Sequence, residues 1–528
     1  MLKRFNKIKN KRWLAFTWIE VIIILVLLCA WIGIEREPFW NWIKGHTDST
    51  LAVTLIATVL GALIVRWGIK YVTFLRFYKR PYITIEADFM QVFHLSKQVQ
   101  GLEYSVGERG WKELKTKPIV FGGERGKLLL RGKSDVGTNG ANILFATDAQ
   151  VICTGDICTL IDYKHYDHAH TEKAIFCQLF EGCTQLTVAP ELTIKKLAAG
   201  CYYRMFRGCT ALKLAPELPA VEMTEKCYRS MFRGCTALKT PPKLPAIDMA
   251  DDCYRSMFRD CTALETAPEL PATGLAVGCY YTMFKHCTSL KEAPALMAEK
   301  LAEGCYAGMF EGCTMLEESA VFGALELAGG CCSAMYGDCT SLVRGYKLPA
   351  TKLAGACYSE MFSGCSSLVD APELPATELV AYCYDSMFSD CVSLKRAPEL
   401  PASKLAAHCY FSMFSGCTSL EEAPVLSSAK LAEYCYSFMF SDCASLKKAP
   451  VLPATILVEN CYSFMFDGCY ALSEIIMLAL EIDAEECLED WLKNTSPIGT
   501  FKKNKKAQWA DIDVVPLGWK VELLSQKS

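Results

Sequence analysis

Histidine is scarce in this chain, and charge of neither sign predominates. The 528 residues include only 7 histidines, too few for a series of Cys/His zinc modules. Lysine and arginine number 55 against 58 aspartates and glutamates, so no overall electrostatic field favours nucleic acid or an acidic partner. With 52% hydrophobic and 21% charged residues, wholesale disorder is excluded.

Motifs of catalysis are also missing. The sequence has no glycine-rich phosphate loop, no nucleophile elbow and no pair of carboxylates in an unexplained setting. We therefore expect a protein that is not an enzyme and that holds no cofactor.

Cysteine, by contrast, is abundant and regularly spaced. Of the 528 residues 29 are cysteine, which is below the roughly 8–10% that marks a disulfide scaffold. One series recurs every 26 residues from Cys201 to Cys487, and a second recurs with the same period from Cys183 to Cys469. A fixed period of this size predicts a solenoid of the leucine-rich-repeat type. About thirteen units should therefore form one continuous array instead of several globular domains.

Each unit is predicted to contain a helix-like face and a short strand. Apolar residues recur at spacings of three and four, which indicates one helical or helix-like face; in one unit they are Leu301, Cys305, Met309, Phe310, Cys313 and Leu316. The following Ala-Pro-Glu-Leu-Pro suits a brief strand, because its prolines limit pairing on each side. Units would stack at about 4.8 Å. The pattern predicts an α/β solenoid.

We expect the cysteines to form two internal ladders of reduced thiols. Cysteine packs as a small hydrophobe and is among the residues most often buried. Two cysteines eight residues apart on a helix would be about 12 Å apart, beyond the ~7 Å that a disulfide spans between Cα atoms. Disulfides between stacked units are the alternative, although an unbroken ladder offers each thiol two equal partners.

The repeat resembles the 26-residue subtype of the BspA-like leucine-rich-repeat family. The likeness lies in Cys-Tyr-Ser-Phe-Met-Phe at 435–440 and Ala-Pro-Glu-Leu-Pro-Ala-Thr at 371–377, and it extends from Ala174 to the C-terminus. The tail from Trp491 looks like the family's C-terminal cap. The resemblance implies binding or adhesion without catalysis, in proteins that are usually secreted or surface-exposed.

Four segments follow from these patterns. We assign 1–80 to a transmembrane helical hairpin, 164–490 to the solenoid and 491–528 to its cap. For 81–163 the resemblance implies a small all-β domain, which often precedes such repeats.

The hairpin comprises two apolar stretches of membrane-spanning length, at about 13–34 and 49–71. Lysines and arginines number six before the first span, two between the spans and five around the end of the second. By the positive-inside rule, both termini and the repeats should lie in the cytoplasm of a bacterium, below the inner membrane. A reducing cytosol agrees with free thiols. A cell-surface adhesin with outward-facing repeats is the alternative.

Two ionisable residues fall within the predicted spans, Glu20 and Arg66. They could pair with each other or mediate an oligomer contact. Alternatively, Glu20 lies at the membrane interface with its carboxylate in water.

Positions that vary between units should form the solenoid surface, and two stripes are candidate partner-binding sites. The first is cationic and comprises Arg204, Arg207, Arg229, Arg233, Arg255, Arg259 and Lys285. It suits an anionic partner or lipid headgroups, unless neighbouring acids balance it on a solvated face. The second is aromatic and comprises Tyr382, His408 and Tyr434, with Phe438 and Phe464 as another pair. It could anchor a protein partner or pack against the next coil.

Two further features are irregular. The prolines expected at 320 and 346 are replaced by Ala320 and Tyr346, which could bend the array or shape a contact site. Before the repeats, a polar junction clusters possible metal ligands: His165, Asp167, His168 and His170. A solvent-exposed linker is the alternative interpretation of that cluster.

The leading hypothesis is a membrane-anchored, non-enzymatic recognition or scaffold protein that binds a protein or other macromolecule and could form a homo-oligomer. A surface adhesin is the first alternative. The second alternative is a membrane-acting effector of a bacterial defence system, in which the repeats sense a trigger and the hairpin acts on the membrane.

Topology can be tested on intact cells. We expect an external protease to leave the repeats uncut until the inner membrane is permeabilised, because the charge count places them in the cytoplasm. Cleavage of the repeats from outside would contradict this topology and favour the adhesin.

Overall fold

A computed structural model describes residues 80–511 and 514–524, which belong to one compact unit, Arg80–Ser528. The predicted spans 13–34 and 49–71, with Glu20 and Arg66, lie outside the described residues and stay predictions. Within the described residues, no helix has the length and apolar character needed to cross a bilayer.

Short strands make up the segment before the repeats. They are β1 (Ile83–Ala87), β2 (Gln91–Leu95), β3 (Leu102–Val106), β4 (Lys112–Glu113), β5 (Ile119–Phe121), β6 (Leu128–Gly132), β7 (Ile143–Phe145) and β8 (Val151–Thr154). One sheet has the order β4-β3-β6-β1-β8, and a second has the order β5-β2-β7, with antiparallel pairing in both. Alternating residues such as Phe93 and Leu95 are buried, as expected for strands with one face on a core.

The end of this β segment covers the first coil of the solenoid. Strand β8 pairs in parallel with β9 (Leu186–Val188), so the first sheet continues into the repeats. The Cys183 thiol, first in its ladder, donates to the Ile143 carbonyl at 3.0 Å. The β segment thus closes the N-terminal end of the stack, as a solenoid requires.

No α-helix occurs among the described residues, so the α/β prediction is wrong for the repeats, although the solenoid is present. In the coil at 199–208, alternate N–H groups bond to the carbonyl three residues back, as Met205 does to Tyr202 at 3.1 Å. The N–H groups between them bond to the next coil, as Phe206 does to Met231 at 2.9 Å. Each coil therefore contains a row of overlapping β-turns stacked on its neighbours. We call residues 199–208 and their equivalents every 26 residues the turn ribbon.

The spacing that predicted a helix has a different cause. Every fourth residue of the turn ribbon has a positive φ, at Gly200, Arg204 and Gly208 and at their equivalents in each later coil to Asn494. An α-helix needs negative φ at every residue. The apolar residues recur at spacings of three and four because successive turns place them on the inner side of the ribbon, where Cys201, Tyr202 and Met205 are buried.

The other side of each coil carries the proline-rich segment, which pairs in parallel with the next coil mostly through isolated bridges. Among the described residues, continuous pairing between coils appears only near the C-terminus, in β10 (Lys448–Leu452), β11 (Glu474–Met477), β12 (Gly499–Lys503) and β13 (Trp519–Leu523). The tail from Trp491 thus extends the sheet by two parallel strands. The Trp491 indole donates to the Val514 carbonyl at 2.9 Å and ends the ladder of stacked rings.

Two ladders of buried rings run inside the solenoid. The ladder from Phe180 to Phe466 has ring centroids 5.4–5.7 Å apart and nearly parallel planes. A tyrosine ladder from Tyr202 to Tyr462 runs beside it and is interrupted where Cys332 replaces tyrosine. Offset stacking of this kind adds to the burial of the rings.

The predicted burial of the cysteines is confirmed, since 27 of the 28 described cysteines are buried. In the second series each thiol from Cys209 to Cys469 donates to an aromatic residue's carbonyl in the preceding coil, at 3.0–3.2 Å. That carbonyl already accepts an N–H within its own coil, as Phe206 does from Cys209. The thiol therefore satisfies the second lone pair of a buried carbonyl.

At the two irregular positions, hydroxyl groups compensate for the missing prolines. The N–H of Ala320, which a proline would lack, donates to the Tyr336 hydroxyl at 2.9 Å. The N–H of Tyr346 donates to the Ser319 hydroxyl at 2.8 Å. Tyr336 stands where the coils on either side carry Phe310 and Phe362, and its hydroxyl accepts the N–H that a proline at 320 would lack.

This compensation predicts a double-mutant cycle. Tyr336→Phe alone should lower the free energy of unfolding by about 1–3 kcal/mol, because it leaves the buried Ala320 N–H without an acceptor. In an Ala320→Pro background that N–H is absent, and the same change should cost close to nothing. Denaturant unfolding of the four proteins measures the coupling; equal costs in both backgrounds would contradict the assignment.

The buried thiols predict steep alkaline unfolding. Burial raises the pKa of Cys227 to about 11 and of Cys261 and Cys313 to about 12, whereas an unfolded thiol has a pKa of about 8.5. Below about pH 8.5 the thiols are protonated in both the folded and the unfolded chain, so their contribution to the free energy of unfolding is fully present there. Above it only the unfolded chain releases protons, and stability falls by about 1.4 kcal/mol per pH unit for each thiol.

We therefore expect circular dichroism to show a sharp transition between about pH 9 and 11, with thiolate absorbance appearing at the same pH. The chain unfolded in denaturant serves as control and should titrate near the ordinary thiol pKa. Thiolate formation well before the loss of structure would contradict the protonated ladder.

Candidate functional site

Only the outer side of the turn ribbon is free to vary from coil to coil. The inner positions are occupied by the thiol and ring ladders and are almost fully buried. The outward positions are those equivalent to Gly200, Tyr203, Arg204, Arg207 and Gly208. Both predicted stripes lie there, in different parts of the solenoid.

The cationic stripe lies on the first coils of the ribbon, and most of its charges have an acidic partner. Six of its seven members pair with carboxylates: Arg207 with Glu181, Arg229 and Arg255 with Asp252, Arg233 and Arg259 with Asp260, and Lys285 with Glu311. The seventh, Arg204, has its guanidinium 4.7 Å from the ring centroid of Tyr203. Binding of an anion here stays a prediction, with much of the charge already compensated inside the chain.

The aromatic stripe lies on later coils and forms two stacks. The ring of His408 lies 4.6 Å, centroid to centroid, from Tyr382 on one side and from Tyr434 on the other. Phe438 and Phe464 stack at the same distance. Tyr382 is 43% exposed and the other four are half-buried. These residues are therefore brought together on the ribbon surface.

Phe411 joins the two stacks and was missed from the sequence. Its ring centroid is 5.5 Å from that of His408 and 5.6 Å from that of Phe438. It lies one residue before the position that Phe438 and Phe464 occupy in their coils, so the 26-residue spacing did not align it with them. We call these six residues the aromatic surface: Tyr382, His408, Phe411, Tyr434, Phe438 and Phe464.

Five members of the aromatic surface have a backbone conformation that favours glycine. Their φ values lie between +54° and +61°, and the coils at 278, 304 and 330 have glycine where Tyr382 stands in its own coil. Bulky residues are rare at positive φ, and such strain concentrates at functional sites.

Carboxylates surround the aromatic surface. Burial, followed by the charge of Asp385, raises the pKa of Glu360, and burial raises the pKa of Asp385 itself. Desolvation and the charges of Glu459 and Glu486 raise the pKa of Tyr434. The aromatic surface therefore lies in a negative field.

The predicted metal cluster before the repeats is not assembled. His165 is exposed and its Nδ1 lies 3.1 Å from an Asp162 carboxylate oxygen, while Tyr166–His168 form a single 3₁₀ turn. Across the described ranges 80–511 and 514–524, no three His, Cys, Asp or Glu side chains are placed to hold a metal ion.

Comparison with known proteins agrees with this geometry. No curated protein and no solved structure matches the chain. The sequence model of one family, described as the BspA type leucine rich repeat region, matches residues 355–473 in six copies. That match includes all six residues of the aromatic surface, and the same turns and period continue on both sides of it. The solenoid of this chain therefore contains BspA-type leucine-rich repeats.

Proposed function

We propose that this chain is a non-enzymatic recognition scaffold that binds a protein partner through the aromatic surface. A leucine-rich-repeat region indicates a protein-interaction or adhesin-like role, and BspA-type repeats are typically scaffolds without enzymatic activity. The observation that carries the proposal is the aromatic surface itself, whose rings lie at the solvent in strained conformations.

The isolated protein does not need these rings in order to fold. A ring at positive φ costs backbone energy that glycine would avoid. Packing inside the solenoid does not require these rings, because the buried ladders continue through coils that have glycine, alanine or serine at the same outward positions. Rigid, partly exposed aromatics are typical anchors of protein interfaces.

Attachment to the bacterial inner membrane by a two-helix anchor, with the repeats in the cytoplasm, remains part of the proposal. It rests on the apolar stretches and the distribution of lysine and arginine in residues 1–80. The buried thiols are compatible with a reducing compartment.

Site-specific photo-cross-linking tests the proposed surface. We expect a benzophenone amino acid at position 438 of the full chain, expressed in its native cells, to cross-link one discrete protein. The same probe at Val425, an exposed residue of the proline-rich side, should not cross-link it. Equal cross-linking from both positions would overturn the assignment of the surface.

Affinity measurements with the purified cross-linked protein complete the test. Tyr434→Gly combined with Phe438→Ser should weaken binding by about a hundredfold, because it removes two interface anchors. The fold should persist, since glycine and serine occupy equivalent positions elsewhere, and thermal unfolding checks this. Unchanged affinity in a folded variant would refute the proposal.

A further inference from the structure

The charge on the turn ribbon changes sign along the solenoid. In the first four coils, 199–208 to 277–286, eight lysines and arginines accompany four carboxylates. In the next eight coils, 303–312 to 485–494, fourteen carboxylates accompany a single cation, Lys493. The aromatic surface lies entirely within this second, acidic part.

The acidic part is not neutralised by the chain itself. Among the described residues, only Glu311 and Asp490 of its fourteen carboxylates pair with a lysine or arginine, which are Lys285 and Lys493 respectively. The cations of the first coils, by contrast, already have partners. The turn ribbon of a second copy therefore has few uncompensated cations to offer, and a different, cationic partner fits the surface better.

An arginine in the first coils shows how a cation of such a partner could be bound. The guanidinium of Arg255 lies 4.1 Å from the ring centroid of Tyr281 and is also held by Asp252 at 3.1 Å. An arginine between a ring face and a carboxylate gains both cation–π and charge-assisted hydrogen-bond energy. On the aromatic surface the rings and carboxylates are present, but the arginine is missing.

One place on the aromatic surface combines these groups. The Tyr382 stack ends there, because the equivalent position in the preceding coil is Ala356 and no ring covers that side of Tyr382. Glu360 and Asp385 belong to the same two coils, the Glu360 N–H donates to the Asp385 carbonyl at 2.7 Å, and the charge of Asp385 acts on the Glu360 carboxylate. The two acids have no lysine or arginine partner within the described residues.

The spacing of further carboxylates along one edge of the ribbon indicates the form of the ligand. Asp338, Asp390 and Asp442 alternate with glycines, and a Cβ on Gly364 would lie 2.3 Å from the Asp338 carboxylate. Each aspartate thus extends over the next coil, and carboxylates recur every two coils, about 10 Å. An extended polyproline-type chain repeats its side-chain direction every three residues, about 9.3 Å.

We propose that the aromatic surface binds an extended, arginine-rich segment of the partner protein, with one arginine between Tyr382, Glu360 and Asp385. This inference rests on the proposed function and specifies the chemistry of the partner. The aspartates at the edge of the ribbon hold further cations of the same segment.

Fluorescence anisotropy with a labelled peptide of Arg-Pro-Pro repeats and the purified full chain tests this. We expect saturable binding that weakens with salt, and no binding of a Glu-Pro-Pro peptide. Glu360→Gln with Asp385→Asn should weaken binding at least about tenfold, and adding Tyr382→Ser should weaken it further.

A matched control distinguishes the effect of these two carboxylates from the effect of a change in net charge. Asp370→Asn with Glu422→Gln removes the same two charges from the proline-rich side, where they pair with Arg344 and Arg396. That variant should bind the peptide with nearly unchanged affinity. Equal weakening in both variants, or no binding to the wild-type chain, would overturn the inference. So would self-association that the peptide displaces, which would assign the surface to a second copy.

Failure of this inference can be distinguished from failure of the proposed function. If the protein cross-linked from position 438 binds the Glu360→Gln, Asp385→Asn variant as it binds wild type, the aromatic surface remains a protein-binding site. In that case only the cationic nature of the partner is refuted.

Discussion

Hydrogen bonding between successive coils is the constraint on which this structure depends. Every second N–H of the turn ribbon donates to the following coil, and the others close turns within their own coil. A buried backbone group without a hydrogen-bond partner is costly. An insertion in the ribbon would shift its N–H groups away from the carbonyls of the next coil and leave several of them unpaired. This accounts for a spacing of 26 residues that holds without exception from Cys201 to Cys487.

The same constraint explains why cysteine is used so heavily. The aromatic carbonyl on the inner side of each coil has one lone pair left after its turn is closed, and the next coil must supply a small donor. A thiol packs as a small hydrophobe and still donates weakly. The second cysteine series therefore supplies, once per coil, the donor that a buried backbone carbonyl needs.

Because the inner side is nearly the same in every coil, differences between coils appear mainly on the outer side. The first coils carry arginines that are held by acids from neighbouring coils. The later coils carry rings and carboxylates without such partners. A uniform scaffold thus displays two chemically different surfaces: most charges of the first are paired within the chain, whereas the second has, within the described residues, carboxylates without cationic partners beside partly exposed rings.

The sequence by itself determined the solenoid, its period, the burial of the cysteines and the position of both outward stripes, because each follows from residues repeated at a fixed spacing. It did not determine the local conformation. Spacings of three and four are shared by a helix and by a row of overlapping turns, and only the positive φ at positions such as Arg204 and Phe438 distinguishes them. Tertiary structure also decided which charges are free, since Asp252 and Asp260 reach arginines of adjacent coils. It also joined Phe411 to rings of two other positions, because contacts between coils are not encoded in linear spacing.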